Sequence, residues 1–163
     1  MAQEPIGPIF TASFAAVAMT TNPADVFGIL PSSLSRVRVI SARLGALSSA
    51  PVAQQLGVQI WRGSTASSTS AAITPVNIEG HTGAVAAGSS VTAPSSGLVS
   101  TTSALSLHAD VWHLDDMNWH WEPCQSPILE KSQRMHVRVT APSTAISIYG
   151  TLTFQELGKI PSA

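Results

Sequence analysis

Charged side chains are scarce in this sequence. Asp, Glu, Lys and Arg make up 10% of its 163 residues, whereas ordinary soluble domains contain about 25%. Between Arg62 and Asp110 the only formal charge is that of Glu79. A surface with so little charge is weakly protected against association, so we expect other protein chains to cover much of it. The composition therefore predicts a subunit of an assembly.

Other shortages argue against several classes of protein. The single cysteine, Cys124, cannot form an intrachain disulfide, which disfavours a disulfide-stapled secreted scaffold. The net charge is −1 and the basic residues are scattered, so no nucleic-acid footprint is expected. We interpret Arg36, Arg38 and Arg43 as a polar strand face. No apolar run is long enough to span a membrane, and the first ten residues lack the basic region of a secretory signal. We expect no membrane partner and synthesis in a cytoplasm.

Alternation of apolar and polar residues is the main structural signal. It is most regular in 35–41, 133–140 and 145–154, and it is typical of half-buried antiparallel strands. The residues predicted to face the core are Val37, Val39, Met135, Val137, Val139, Ile146, Ile148, Leu152 and Phe154. The residues predicted to face solvent include Arg36, Arg38, Arg134, His136 and Arg138.

Weaker strand patterns bring the count to about eight, and no window carries the apolar stripe of an amphipathic helix. The weaker segments are 9–19, 26–30, 56–61, 105–114 and 118–122. We predict a single all-β domain over 1–163, an antiparallel β-sandwich or barrel with long loops rich in Ser, Thr, Ala and Gly. Residues 82–103 are interpreted as an extended arm or loop ordered by a neighbouring subunit; the alternative is a mobile surface loop.

Residues 108–122 are the segment richest in chemically useful side chains. They hold three of the five histidines and three of the four tryptophans. Trp119 and Trp121 alternate with polar residues, so their rings share one strand face, which suits a sugar-binding platform, a subunit contact or the core. The simplest reading is a hairpin with its turn at 115–117. The candidate ligand or subunit contacts are Trp112, Trp119, His120 and Trp121.

Motifs for catalysis or cofactor binding are missing from the sequence. The histidines of 108–122 have poor spacing for a metal, with neither a His-x-His pair nor a His-Glu-x-x-His motif. There is no Gly-x-Ser-x-Gly elbow and no phosphate loop of the Gly-x-x-x-x-Gly-Lys type. Cys124 has no second cysteine to share a metal, and a loop or buried thiol is its default. We predict a protein that is not an enzyme and needs no cofactor.

Four segments carry a resemblance to a known group of proteins. They are the opening strand FTASF (10–14), VQIWRGST (58–65), HADVW (108–112) and the closing SIYGTLTFQELG (147–158). In pattern and order they resemble small structural proteins encoded beside capsid genes in tailed bacteriophages. The middle of this chain is poorer in charge than is typical of such proteins, so its place in the capsid, head–tail junction or tail stays open.

The resemblance implies a capsid cement or decoration protein with a jelly-roll-like fold. Such proteins are often trimeric and clamp neighbouring major capsid subunits, and they have no catalytic residues to carry over. The implied partners are the major capsid protein and further copies of the chain in a homotrimer, and the implied location is the virion. The alternative function is a carbohydrate- or receptor-binding module of a phage tail or fibre, which would use Trp119, Trp121 and nearby polar groups.

Overall fold

The described residues form two antiparallel sheets and contain no helix. The computed structural model describes residues 7–19, 21–47, 55–63, 71–78, 87–92, 105–113 and 117–157. The strands are β1 (Ile9–Met19), β2 (Ala24–Leu30), β3 (Arg36–Leu47), β4 (Leu56–Gly63), β5 (Ala72–Ile73), β6 (Val76–Asn77), β7 (Ser90–Thr92), β8 (Leu105–Trp112), β9 (Met117–His120), β10 (Ile128–Leu129), β11 (Arg134–Val139) and β12 (Ile146–Leu157). Within these ranges there is no helix of membrane-spanning length and hydropathy.

Each sheet has six strands, and every pairing is antiparallel. The first sheet has the order β10-β3-β12-β1-β6, and β9 lies beside β10 along the same edge of β3. The second sheet has the order β5-β7-β2-β11-β4-β8. Buried residues of both sheets form one hydrophobic core. The prediction of an all-β antiparallel sandwich is therefore confirmed at this level.

The number of strands is larger than the eight predicted. Each of the eight predicted segments overlaps one of the eight longer strands, and the difference lies in β5, β6, β7 and β10. These four strands are two or three residues long. A strand this short has no room for a repeat of period two, so alternation alone cannot reveal it.

The predicted core faces are buried, but His136 and Arg138, both predicted to face solvent, are largely covered. The side chain of Arg138 is 14% exposed and donates to the buried Asp25. All nine apolar residues predicted to face the core are at most 3% exposed. His136 was expected in solvent, but it is 3% exposed. In the register of the second sheet it lies between Gly28 of β2 and Trp61 of β4. Because β11 is an inner strand of that sheet, its neighbours cover the polar face that alternation assigns to water.

Two bulges explain why sequence alternation fades inside long strands. Opposite β12, the register of β3 passes from Ser41 to Val39 and skips Ile40. Val39 on one side and Ala42 on the other are both fully buried, so the inward phase changes at the bulge. The alternation predicted only 35–41 for this reason, although β3 continues to Leu47. In β1, a second bulge lies between Phe14 and Val17.

Aromatic side chains fill the space between the sheets. The rings of Phe10 and Phe154 stack with centroids 5.6 Å apart. Phe14 of the first sheet meets Phe27 of the second at 4.9 Å. Gly150 makes this contact possible, because a Cβ there would lie 2.6 Å from a ring carbon of Phe14 and 2.8 Å from one of Phe27.

Part of the predicted arm is a strand of the second sheet. Within 82–103, residues 87–92 are described, and they include β7, which pairs with β2 and β5. Val91 of β7 is fully buried. Residues 82–86 and 93–103 lie outside the described residues, as does most of the polar loop 63–70. That this segment is ordered by a neighbouring subunit stays a prediction.

Glu156 anchors the residues that lead into β7. Its carboxylate accepts the backbone N–H of Ser89 at 2.6 Å and that of Gly88 at 3.3 Å. We expect Glu156→Gln to lower the free energy of unfolding by about 1–2 kcal/mol, because a charged acceptor is lost. The control is Glu130→Gln, whose carboxylate is 48% exposed and 3.9 Å from Arg36; we expect a change within about 0.5 kcal/mol. Chemical denaturation measures both, and equal losses would contradict the prediction.

Candidate functional site

The tryptophans predicted as contact residues lie mainly in the core. Trp112 ends β8 in the second sheet and is 1% exposed, and Trp119 of β9 in the first sheet is 9% exposed. Trp121 follows β9 and is partly buried against the same core. His120 is exposed and pairs with Ser41. Of these four candidates only His120 is freely presented, and their role as ligand or subunit contacts stays a prediction.

Trp119 and Trp121 share a face, as the alternation predicts, but that face is the inner one. Both indoles pack on the hydrophobic core. A sugar-binding platform needs ring faces that a ligand can cover. On this chain those faces are largely occupied by the core.

The predicted hairpin between β8 and β9 is wrong. β8 pairs with β4 in the second sheet, whereas β9 pairs with β3 in the first. The chain crosses between the sheets here, so Trp112 and Trp119 approach the core from opposite sides. The predicted turn residues Asp115 and Asp116 lie outside the described residues. Each strand pairs with a strand that is distant in sequence, and such a non-local pairing leaves no local sequence signal.

His108, Asp110 and Trp119 form a polar contact at the margin of the core. The Nε2 atom of His108 is 3.7 Å from a carboxylate oxygen of Asp110, and the rings of His108 and Trp119 meet edge to face at 6.4 Å. His108 Nε2 and Trp119 Nε1 are buried without a hydrogen-bond partner among the described residues. Asp110 and Trp119 also line a pocket of about 280 Å³. The two ring nitrogens and the adjoining pocket suit a bound water molecule or a small polar group.

Metal-binding geometry does not emerge from the described ranges. No group of three or more His, Cys, Asp or Glu residues is placed there to hold a metal ion. Cys124 is exposed in the turn after Glu122, whose carbonyl accepts the backbone N–H groups of Gln125 and Ser126. Of the two placements expected for this thiol, buried or in a loop, the structure shows the loop.

Apolar side chains are exposed at one edge of each sheet. In β8, the terminal strand of the second sheet, Leu105 is 59%, Leu107 37% and Val111 50% exposed. At β6, the terminal strand of the first sheet, Val76 is 63% exposed, and the adjoining Ile78 is 53% exposed. We call these the β8 edge and the β6 edge. Exposed apolar edge strands favour association unless something covers them.

The β8 edge has one partial safeguard against strand addition. The Asp110 carboxylate accepts the backbone N–H of Val111 at 2.7 Å, which satisfies a donor on an edge strand. Asp110 is also the only formally charged residue of β8 apart from the titratable His108. The surface is therefore better suited to side-chain packing than to pairing along its full length.

An ion pair that is not among the sequence predictions lies on the second sheet. Arg138 Nε donates to Asp25 Oδ1 at 2.7 Å, and Arg138 Nη2 donates to Asp25 Oδ2 at 3.2 Å. Asp25 is 3% exposed. The available signal was an acid inside the apolar run of β2, since acids are almost never fully buried unless paired.

Comparison with known proteins adds little to this geometry. No protein-family model matches the chain, and no curated protein gives a significant match. Among solved structures, the chain is similar to one in a structure of infectious bursal disease virus, Gx strain, with 13% identity and a TM-score of 0.12. The match covers 96% of this chain and 39% of that chain, so this chain spans well under half of the viral chain's length. A TM-score this low carries no argument.

Proposed function

We propose that the chain is a non-enzymatic structural protein of a tailed-bacteriophage virion that binds and stabilises the capsid. Its proposed partners are the major capsid protein and further copies of itself, as a homotrimer. The observation that carries this proposal is the exposed apolar β8 edge, together with the low charge of the whole chain. A surface of this kind is stable in water when neighbouring subunits cover it.

The strand order supports a jelly roll as the finer form of the sandwich. The long strands pair in nested fashion, β1 with β12, β2 with β11, β3 with β9 and β4 with β8. Successive nested pairs alternate between the two sheets, as they do when one long antiparallel hairpin is rolled up. Jelly rolls of eight strands occur in viral capsid proteins, lectins and cupins.

Among jelly-roll proteins, which include capsid proteins, lectins and cupins, exposed apolar residues on both sheets favour a protein of a viral shell. A closed shell repeats its contacts by symmetry, so each subunit has to bury surface on several sides. The β6 edge and the β8 edge belong to different sheets and give the chain two such surfaces. The alternative function, sugar recognition through Trp119 and Trp121, is less favoured because both rings pack on the core.

Binding to capsid shells tests the proposal. Purified chain is added to empty expanded shells of the phage whose major capsid protein is its partner, and bound copies are counted after sedimentation. We expect saturable binding at many copies per shell and a higher temperature of shell disruption in its presence. A few copies per native particle would indicate a tail or portal protein. A stable monomer that does not bind capsid shells would contradict the proposal.

A further inference from the structure

The backbone of β8 presents hydrogen-bonding groups on the side away from β4. Gly57 of β4 donates its N–H to the Thr140 hydroxyl at 2.8 Å, and its carbonyl accepts the Thr140 N–H at 2.9 Å. Val111 lies opposite Gly57, so the two form a non-hydrogen-bonded pair and Val111 directs its own N–H and C=O away from β4. The register is regular from Val111 to His108. Ala109, two residues from Val111, therefore also directs its N–H and C=O to the outer side of β8.

The side chains of β8 alternate between the two faces of the second sheet. His108 and Asp110 lie opposite two fully buried residues of β4, so their side chains lie on the inner face, at the rim of the core. These side chains remain accessible, at 41% and 52% exposure. Ala109 and Val111 lie on the outer face. Leu107 and Val111 add exposed apolar surface on either side of Ala109.

The stretch 107–111 is complementary to itself when it is read in the opposite direction. If two copies pair antiparallel about Ala109, each Ala109 lies opposite the other. Leu107 of each copy then lies opposite the partner's Val111, and His108 lies opposite the partner's Asp110. Apolar pairs and pairs of opposite charge stabilise adjacent antiparallel strands, whereas like charges destabilise them. The His108–Asp110 pairs also fall at non-hydrogen-bonded positions, where side chains lie closest.

Another centre of symmetry matches less well. The central residue has to direct its N–H and C=O to the partner, and within the regular part of the register only Ala109 and Val111 do so. A centre at Val111 would place Asp110 opposite Trp112, which is 1% exposed and belongs to the core. The centre at Ala109 is therefore the one that the charges and the apolar residues favour.

We propose that two copies of the chain pair through β8 about a two-fold axis at Ala109, so that their second sheets join into one continuous sheet. The pairing is short, from Leu107 to Val111, and its backbone bonds centre on Ala109, since Asp110 already accepts the Val111 N–H. This contact rests on the self-association in the proposed function and specifies its geometry. An isologous contact joins two chains, so a homotrimer has to use a different surface, and the β8 contact links chains of neighbouring trimers.

Disulfide formation between copies tests the register. Cys124 is exposed, so every variant also carries Cys124→Ser. In Ala109→Cys the proposed pairing places the two Cα atoms about 5.5 Å apart, within the range of about 4.4–6.8 Å that a disulfide spans. Under mild oxidation, followed on non-reducing gels, we expect a covalent dimer to form at least about tenfold faster than with Val111→Cys, whose two copies are separated by about 14 Å along the strands.

A mixture of two variants provides the matched control. Leu107→Cys and Val111→Cys should each cross-link slowly alone, whereas a mixture of the two should form the covalent heterodimer at a rate close to that of Ala109→Cys. The same two thiols are thus slow or fast according to the register alone. Equal rates for Ala109→Cys and Val111→Cys, or a mixture no faster than its components, would overturn the proposed pairing.

A backbone variant tests the hydrogen bonds at the axis. Ala109→Pro removes the N–H that faces the partner, and proline is tolerated on an edge strand where its nitrogen faces away from the neighbouring strand. We expect normal thermal unfolding and a dissociation constant between copies that rises by at least about tenfold in sedimentation. Ala109→Ser keeps the N–H and should associate as wild type does. Unchanged association of Ala109→Pro would overturn the pairing, whatever its binding to capsid shells; wild-type copies that pair at β8 but bind no shells would contradict only the capsid function.

Discussion

Replacing Asp25 by alanine is expected to lower the free energy of unfolding by about 3–5 kcal/mol. Asp25 is 3% exposed, and its two carboxylate oxygens accept from Arg138 Nε and Nη2 at 2.7 and 3.2 Å. The side chain of Arg138 is itself only 14% exposed. Truncation at Asp25 leaves the guanidinium without its main counter-charge in a place where water cannot fully solvate it, and that uncompensated charge causes the loss.

Denaturant unfolding at one fixed protein concentration measures this loss, since stability depends on concentration in an associating protein. Glu130→Ala is the control, because its carboxylate is 48% exposed and 3.9 Å from Arg36; we expect a change within about 0.5 kcal/mol. The double variant Asp25→Leu with Arg138→Met should recover most of the loss, since no buried charge remains. Similar losses for Asp25→Ala and Glu130→Ala would refute a structural role for the pair.

Alternation in the sequence was enough to place the long strands and, for β3, β11 and β12, the apolar residues of their inner faces. It works in β11 and β12 because each has one face on a continuous core, and a period of two then follows directly from burial. It stops at Ile40, where the bulge in β3 reverses the phase of the pattern. It also misjudges His136, because exposure depends on which strands flank β11 and not on β11 itself.

The pairing of strands could not be predicted from local sequence. Adjacent segments such as β8 and β9 invite a hairpin, yet Trp112 pairs with Leu56 and Trp119 pairs with Ala42. Such pairings depend on which strands hydrogen-bond along each sheet edge, and those strands are distant from one another in sequence. No short window contains that information.

The sequence predicted contact residues in 108–122, but most of the aromatic side chains of that segment are not on the exposed surface of the structure. The segment with most tryptophan and histidine supplies Trp112 and Trp119 to the core. The apolar residues Leu105, Leu107 and Val111, which are exposed at the β8 edge, instead lie in a segment that the sequence predicted only as one of the weaker strands.

Introducing a charge at the β8 edge is expected to disrupt self-association. Val111 is 50% exposed on the isolated chain. Burying a whole valine side chain contributes about 1.5–3 kcal/mol, so covering the exposed part of Val111 contributes about half of that. Val111→Lys removes that gain and places a charge in an apolar contact, so the dissociation constant between copies should rise by at least about tenfold. Because Val111 lies at the surface, the folded chain itself should lose no more than about 0.5 kcal/mol.

Sedimentation over a range of concentrations, paired with thermal unfolding, separates association from folding. Leu34→Lys is the matched control, since Leu34 is 62% exposed, lies between β2 and β3 in the chain, and belongs to neither the β8 edge nor the β6 edge. We expect it to associate as wild type does, whereas Val111→Lys shifts towards monomer and binds fewer copies per capsid shell. If both lysine variants associate alike, the β8 edge is not the contact between copies. In that case a protein other than a second copy of the chain would have to cover Leu105, Leu107 and Val111. Val111→Lys would then bind fewer copies per shell while it self-associates as wild type does, which identifies the shell as that partner.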